Sequence, residues 1–225
     1  MGSKELGLDH FLFYDTANQR VAESIRVQTQ FEIGPDEHPE GIRLTSTHLF
    51  ANPVQKNEEE ILDPNAHLTW YRVFDPVPDP SRIVNYTDQF GKRRVYIGRK
   101  AGFLTPTLKV RRGGKFPEKL DHYVAYQVLE STPVDKAVKL RDQWGSTEAK
   151  VYYPLYFAAP SRKWHGKTVD GIQNAKAHLA IYRISPSSIE KHANVRDQFG
   201  RRVVHAFRRV LLAVPCDKGK WQEVD

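Results

Sequence analysis

The chain contains one cysteine, Cys216, and one methionine, Met1, among 225 residues. A single thiol excludes any internal disulfide and makes a reducing compartment the natural home. Long apolar runs are missing as well. The longest, such as residues 210–214, fall far short of the roughly 20 residues that a membrane-spanning helix requires, so no membrane span is expected. The opening Met1-Gly2-Ser3-Lys4 has no apolar signal segment and reads as an expression scar, which points to a cytoplasmic protein. Catalytic signatures are absent too. There is no Gly-x-Ser-x-Gly elbow and no His-Glu-x-x-His. Gly166-Lys167-Thr168 has Ser161 where a phosphate-binding loop needs its first glycine. Cys216 has no assigned base to activate it as a nucleophile. The expectation is a non-catalytic protein without cofactor or metal; the alternative is an unorthodox enzyme acting on a peptide or small molecule.

What the chain does contain is ordinary globular material, 40% hydrophobic with 4 Trp, 10 Tyr and 11 Phe, enough for a substantial core. The formal net charge is +7, which favours acidic partners. Basic residues gather at Lys92-Arg93-Arg94, Arg99-Lys100, Arg201-Arg202 and Arg208-Arg209. Basic strand faces on small β domains are more often solvated surface than nucleic-acid sites, so nucleic acid is not the expected partner.

The dominant signal is a repeat. Asp-Gln-Phe-Gly occurs at residues 88–91 and 197–200, returns as Asp142-Gln143-Trp144-Gly145, and survives in part as Gln30-Phe31. Upstream of each stands a His-x-x-x-Tyr, at His10/Tyr14, His67/Tyr71, His122/Tyr126 and His178/Tyr182. Downstream stands a Pro-x-x-Lys, at Pro53/Lys56, Pro106/Lys109, Pro160/Lys163 and Pro215/Lys218. Four units of about 55 residues result, a period that fixes the architecture before any finer reading. The sequence around His122 echoes that around His10, and the sequence around His178 echoes that around His67, so odd units resemble odd and even resemble even.

Within each unit the alternation of apolar and polar residues reads as strands. Residues 8–14, 67–74, 82–87, 92–98 and 101–105 are examples, and residues 187–193 could form a turn or two of helix. The glycine closing the tetrapeptide offers the positive φ of a hairpin turn, and its Asp can bond its own backbone two residues on. The predicted fold is all-β, with roughly sixteen short strands. The units pair into two similar antiparallel barrel or sandwich halves, residues 6–113 and 114–225, with a four-bladed propeller as the alternative.

A residue found in every unit is best explained by what every unit shares, namely packing, so the four His/Tyr pairs read as scaffold rather than as metal ligands. Function is expected where the units differ. Those places are the loops at residues 34–41, 75–81 and 111–116, the aromatic run at residues 152–157, the segment around Trp164, and the basic pair Arg208-Arg209. The candidate peptide-binding residues are Tyr152, Tyr153, Tyr156, Trp164, Arg93, Arg94, Arg208 and Arg209, residue types that dominate binding hot spots.

The three landmarks resemble a bacterial β-repeat family of unknown function in which cysteines precede the Tyr and stand two places before the Pro. Here those positions hold Phe13, Trp70, Ala125 and Ile181, and Ala51, Leu104, Ala158 and Ala213. The framework is kept and its disulfides are replaced by apolar residues. A two-half, cysteine-depleted member is similar to the accessory peptide-binding proteins of crocagin biosynthesis, a pathway that builds an alkaloid from a ribosomal precursor peptide. That resemblance implies a non-enzymatic protein that binds an acidic or aromatic-containing precursor peptide and presents or protects it for tailoring enzymes. It assigns no binding residue, and a scaffold does not fix function.

Overall fold

A computed structural model of the chain describes residues 2–32, 38–75, 79–111 and 113–224. The strands among them are β1 (His10–Thr16), β2 (Arg20–Gln28), β3 (Glu40–Lys56), β4 (His67–Phe74), β5 (Ser81–Asp88), β6 (Gly91–Lys109), β7 (His122–Glu130), β8 (Lys136–Asp142), β9 (Gly145–His165), β10 (Thr168–Asp170), β11 (His178–Asp197) and β12 (Gly200–Val224). One helical turn, Ser3–Leu6, and a 3-10 turn, Gln30–Glu32, complete the described elements, and among the described residues no helix is long and apolar enough to cross a membrane.

The expected all-β repeat is what forms. The strands are fewer and longer than the sixteen short ones read from the sequence, because breaks placed inside Gly91–Lys109 and its counterparts are bulges. Along β6 the register against β7 shifts between Tyr96 and Ile97, between Ile97 and Lys100 and again between Lys100 and Gly102, bending the strand without ending it. Residues 187–193 likewise continue β11 as strand, with Ser187 opposite Arg209 and His192 opposite His205; pairing with β12 overrides the local helical option. Parts of the three expected loops, residues 34–37, 76–78 and 112, lie outside the described residues, as does residue 33.

Each unit contributes a segment bearing the His-x-x-x-Tyr and a long strand carrying the Pro-x-x-Lys, at its end in β3 and β6 and with further residues beyond it in β9 and β12. These alternate around a closed antiparallel ring of eight strands, in the order β1, β12, β11, β9, β7, β6, β4, β3 and back to β1. The ring closes once, through all four units: β6 pairs with β7 and β12 with β1, so both sequence halves enter one sheet and no separate propeller blades form. The hairpin of each unit then leaves the ring and pairs with the unit opposite. β2 joins β9, β5 joins β12, β8 joins β3, and β11 joins β6.

Two apolar clusters follow from the two-residue alternation of the strands. One draws Phe11 and Phe13, Leu68 and Trp70, Tyr123 and Ala125, Leu179 and Ile181 together with Leu49, Ala51, Leu104, Ala158, Leu211 and Ala213. All eight ring strands are represented, which only the inside of a closed ring permits. The other lies between the ring's outer face (Tyr14, Phe50, Tyr71, Phe103, Tyr126, Phe157, Tyr182) and the hairpins (Ile25, Val27, Val84, Val138, Leu140, Val195). Full burial of each large side chain is worth about 1.5–3 kcal/mol.

Interior packing explains two sequence choices. The positions that resemble the family's cysteines are direct cross-strand partners: Phe13 opposite Ala51, Trp70 opposite Leu104, Ala125 opposite Ala158 and Ile181 opposite Ala213. Apolar pairs there fill the lumen that a bridge would otherwise span. Gly102 is glycine because a Cβ there would come within 1.8 Å of Trp70 Nε1.

Candidate functional site

The repeated residues build four equivalent docking stations. The hydroxyl of Tyr14 donates to Asp142 Oδ2 at 2.5 Å, Tyr71 to Asp197 Oδ2 at 2.6 Å, Tyr126 to Glu32 Oε1 at 2.8 Å, and Tyr182 to Asp88. In each case the tyrosine belongs to one unit and the carboxylate to the hairpin tip of the opposite unit. The tip aromatic packs edge-on to the same tyrosine: Trp144 on Tyr14, Phe199 on Tyr71, Phe31 on Tyr126 and Phe90 on Tyr182, with centroids 4.6–5.2 Å apart. The Pro-x-x-Lys lysines cover these aromatics from the remaining side, Lys56 over Phe90, Lys109 over Trp144, Lys163 over Phe199 and Lys218 over Phe31. Burial, joined at Tyr14, Tyr126 and Tyr182 by the charge of the facing carboxylate, pushes those phenols well above their ordinary range.

Asp88, Asp142 and Asp197 also accept from the backbone N–H of the aromatic two residues on, at 2.8–2.9 Å. The first unit divides that double role between two residues invisible to the repeat pattern. Thr29 Oγ1 accepts from the N–H of Phe31, and Glu32, held by the N–H and hydroxyl of Thr29, meets Tyr126.

The four histidines stay inside this framework. Three stack on ring phenylalanines, His67 on Phe50, His122 on Phe103 and His178 on Phe157. Burial depresses His67 to about 3 and His178 to about 4. His10 and His122 differ in facing carboxylates, Glu59 at 3.4 Å and Asp170 at 3.3 Å. The pairwise alternation of units is visible again at Asp9, whose oxygens accept from the N–H groups of Leu62 and Asp63, and at Asp121, which holds Gln173 and Asn174 in the same way.

Among the described residues one carboxylate group, Glu32, Glu40 and Asp79, is close enough to hold a metal ion. Its cation is already present. The buried Lys100 ammonium contacts Glu40, lies 2.5 Å from Asp79 and 3.1 Å from Asp75; burial lowers its pKa, but Asp79 and Glu40 outweigh burial and raise it.

Chemical variety appears at one rim of the ring, where the residue following each repeated tyrosine meets the neighbouring long strand. The four units place different residues there. Asp15 pairs with Arg208, its carboxylate 2.5–2.8 Å from the guanidinium. Arg183 reaches the Tyr153 hydroxyl at 3.5 Å, and Arg99 donates to Gln127 at 3.2 Å. Arg72 lies 3.1 Å from His48 Nδ1. Asp15, His48, Arg183 and Arg208 line a groove of about 250 Å³ together with Leu49, Leu155, Tyr156, Ile184, Val210 and Leu211, the Tyr156 ring lying edge-on to Trp70. Burial and then the Arg72 charge lower the His48 pKa, leaving it a neutral acceptor. Of the four arginines only Arg208 has a carboxylate partner among the described residues, so the rim is positive above an apolar floor.

The sequence-selected residues divide between places. Tyr153, Tyr156 and Arg208 come together at this rim. Tyr152 lies under Lys150, 5.5 Å from ring centroid to Nζ. Trp164 lines a separate groove of about 420 Å³ with Phe74, Arg26 and Arg43. Arg93 lies over the Tyr182 ring and donates to Thr132 O, and buried Arg209 sits beside Tyr14 and bonds Ser187 and Ser188, so both belong to docking stations. Arg94 is exposed opposite Asn85. Sequence reasoning passed over His48, Arg72, Arg99 and Arg183. The signal that could have found them is their position: Arg72 and Arg183 directly follow repeated tyrosines at which the other units have Asp15 and Gln127.

No curated protein and no solved structure matches this chain. A family model does, over residues 67–215, and its description is a repeat of unknown function, DUF7450. With its landmarks reused at four docking stations and its matched segment covering most of the ring, the chain belongs to that repeat family.

Proposed function

We propose that the protein is a non-catalytic peptide-binding protein and that the arginine-rich rim is its binding site. The observation that carries the reading is that otherwise equivalent units diverge there, Arg183, Arg208, His48 and Tyr156 lining an apolar groove while Arg72 contacts His48, Arg99 contacts Gln127 and Tyr153 contacts Arg183. Aromatic and arginine anchors above an apolar floor suit an extended segment carrying acidic and apolar side chains, with charge complementarity directing encounter. Strand-edge addition is restricted to short stretches, because the ring is closed and each hairpin engages its opposite unit. A ribosomal precursor peptide, presented or protected for tailoring enzymes in a pathway such as that of the crocagins, is the finer form of this proposal, supported by the resemblance alone.

The test is to incubate the protein with acidic, aromatic-containing peptides while following affinity and peptide mass together. Saturable one-to-one binding without mass change, weakened at least tenfold by Arg183→Glu or Tyr156→Ala, is the expected result. Catalytic conversion of the peptide would favour the enzyme alternative, and binding indifferent to both variants would remove the rim as the site.

A further inference from the structure

We propose that His192 and His205 form a chelating pair for a borderline divalent transition metal ion, such as copper(II), nickel(II) or zinc(II), on the outer face of the fourth unit's hairpin. The two residues are directly opposed in the β11–β12 register, both are exposed, and their ring centroids are 4.4 Å apart. Neither ring has a hydrogen bond or ion pair among the described residues, so no other structural task accounts for the pairing.

Repetition separates these histidines from the scaffold ones. Of nine histidines, four occupy the repeated position before a tyrosine. His192 and His205 do not. The same hairpin position, five residues before the turn Asp and five after the turn Gly, holds Ile83 opposite Tyr96 in the second unit and Ala137 opposite Lys150 in the third. The pair is therefore a property of one unit, not of the fold.

The geometry suits chelation. Directly opposed residues in an antiparallel pair have Cβ atoms about 4.5–5.5 Å apart. Imidazole nitrogens bind zinc at about 2.0–2.1 Å, which places two donors of one ion about 3 Å from each other, within rotamer reach from that separation. Imidazole suits zinc, nickel and copper, with copper(II) the tightest at a given donor set. The backbone beneath is fixed, since Ala17 N–H donates to His205 O and the Gln19 amide to Val203 O. Two protein donors leave the remaining coordination positions to water or to a donor atom of a bound partner.

The experiment is calorimetric titration of the tag-free protein with nickel(II), copper(II) and zinc(II) salts in a non-coordinating buffer, joined to electron paramagnetic resonance of the copper(II) form. The expected result is one ion per chain, a hyperfine pattern from two nitrogens, at least tenfold weaker binding in His192→Ala and in His205→Ala, and unchanged binding in His48→Ala. Because both positions are exposed, the two variants should melt at the wild-type temperature without metal. Absence of saturable binding up to millimolar metal, undiminished binding in both variants, or equal weakening in His48→Ala would overturn the proposal.

Discussion

Replacing Tyr14 by Phe isolates the hydrogen bond on which the interlocked design depends. The ring and its edge-on contact with Trp144 remain, and only the hydroxyl that donates to Asp142 Oδ2 at 2.5 Å is lost. A hydrogen bond to an ionised acceptor is worth about 1.5–3 kcal/mol, and the carboxylate left behind keeps only the Asn52 amide at 2.8 Å on that oxygen. For a chain of this size 1 kcal/mol moves the midpoint by about 2–4 °C, so Tyr14→Phe should melt about 3–12 °C lower. Urea unfolding followed by circular dichroism gives the free energy directly. Tyr156→Phe serves as control, since its hydroxyl has no partner among the described residues and should be worth less than about 0.5 kcal/mol. The cycle Tyr14→Phe with Asp142→Asn should show coupling of the same order, because the two groups act as one unit across 128 residues of chain. A Tyr14→Phe protein as stable as wild type, or one that keeps its stability while selectively losing peptide binding, would refute the assignment of the repeated tyrosines to scaffold.

Gly102→Ala should destabilise by about 1–3 kcal/mol or more through overpacking against Trp70, and Trp70→Leu in the same chain should relieve the clash; chemical denaturation of the single and double variants checks both. His67, held at about 3 in the fold against 6.5 when exposed, takes up its proton only on unfolding as pH falls, so its contribution is complete above pH 6.5 and is lost between there and about 3. His67→Asn should therefore flatten the fall of stability with acid by about 1.4 kcal/mol per pH unit in that window, read from denaturation at stepped pH. At the rim, stopped-flow association of an acidic peptide should slow several-fold when salt shortens the Debye length below roughly 8 Å, with dissociation little changed. Arg183→Glu should reproduce the slower association at low salt, and a salt-insensitive association rate would remove the steering role.

Much of the fold is contained in the one-dimensional pattern. Alternation along residues 10–14 and their three counterparts sets Phe11/Phe13 against His10/Tyr14, and those faces became the lumen and the ring's outer face, buried under the hairpins, because side chains on a strand alternate whatever the sheet becomes. The tetrapeptides became hairpin turns with φ of 117°, 130° and 124° at Gly91, Gly145 and Gly200, since only glycine accepts that backbone freely. Strand partners were not contained in it. A period of about 55 residues is compatible with closure inside each half or once around all four units, and local sequence has no energy term that distinguishes them. The choice is made by non-local pairs such as Tyr14 with Asp142 and Tyr71 with Asp197, which join opposite units. The same holds for the sites. Tyr153, Tyr156 and Arg208 carry their chemistry in their residue types, but only the closed ring brings them beside Arg183 and His48 and sends Arg93 and Arg209 into docking stations, whereas His192 meets His205 through the register of their own hairpin. Sequence by itself determined which face of each strand is apolar and where the chain turns, because those depend on neighbours two to four residues away. Tertiary structure decided which units interlock and which exposed residues share a surface, because the first depends on contacts 94 to 128 residues apart and the second on how whole strands are laid side by side.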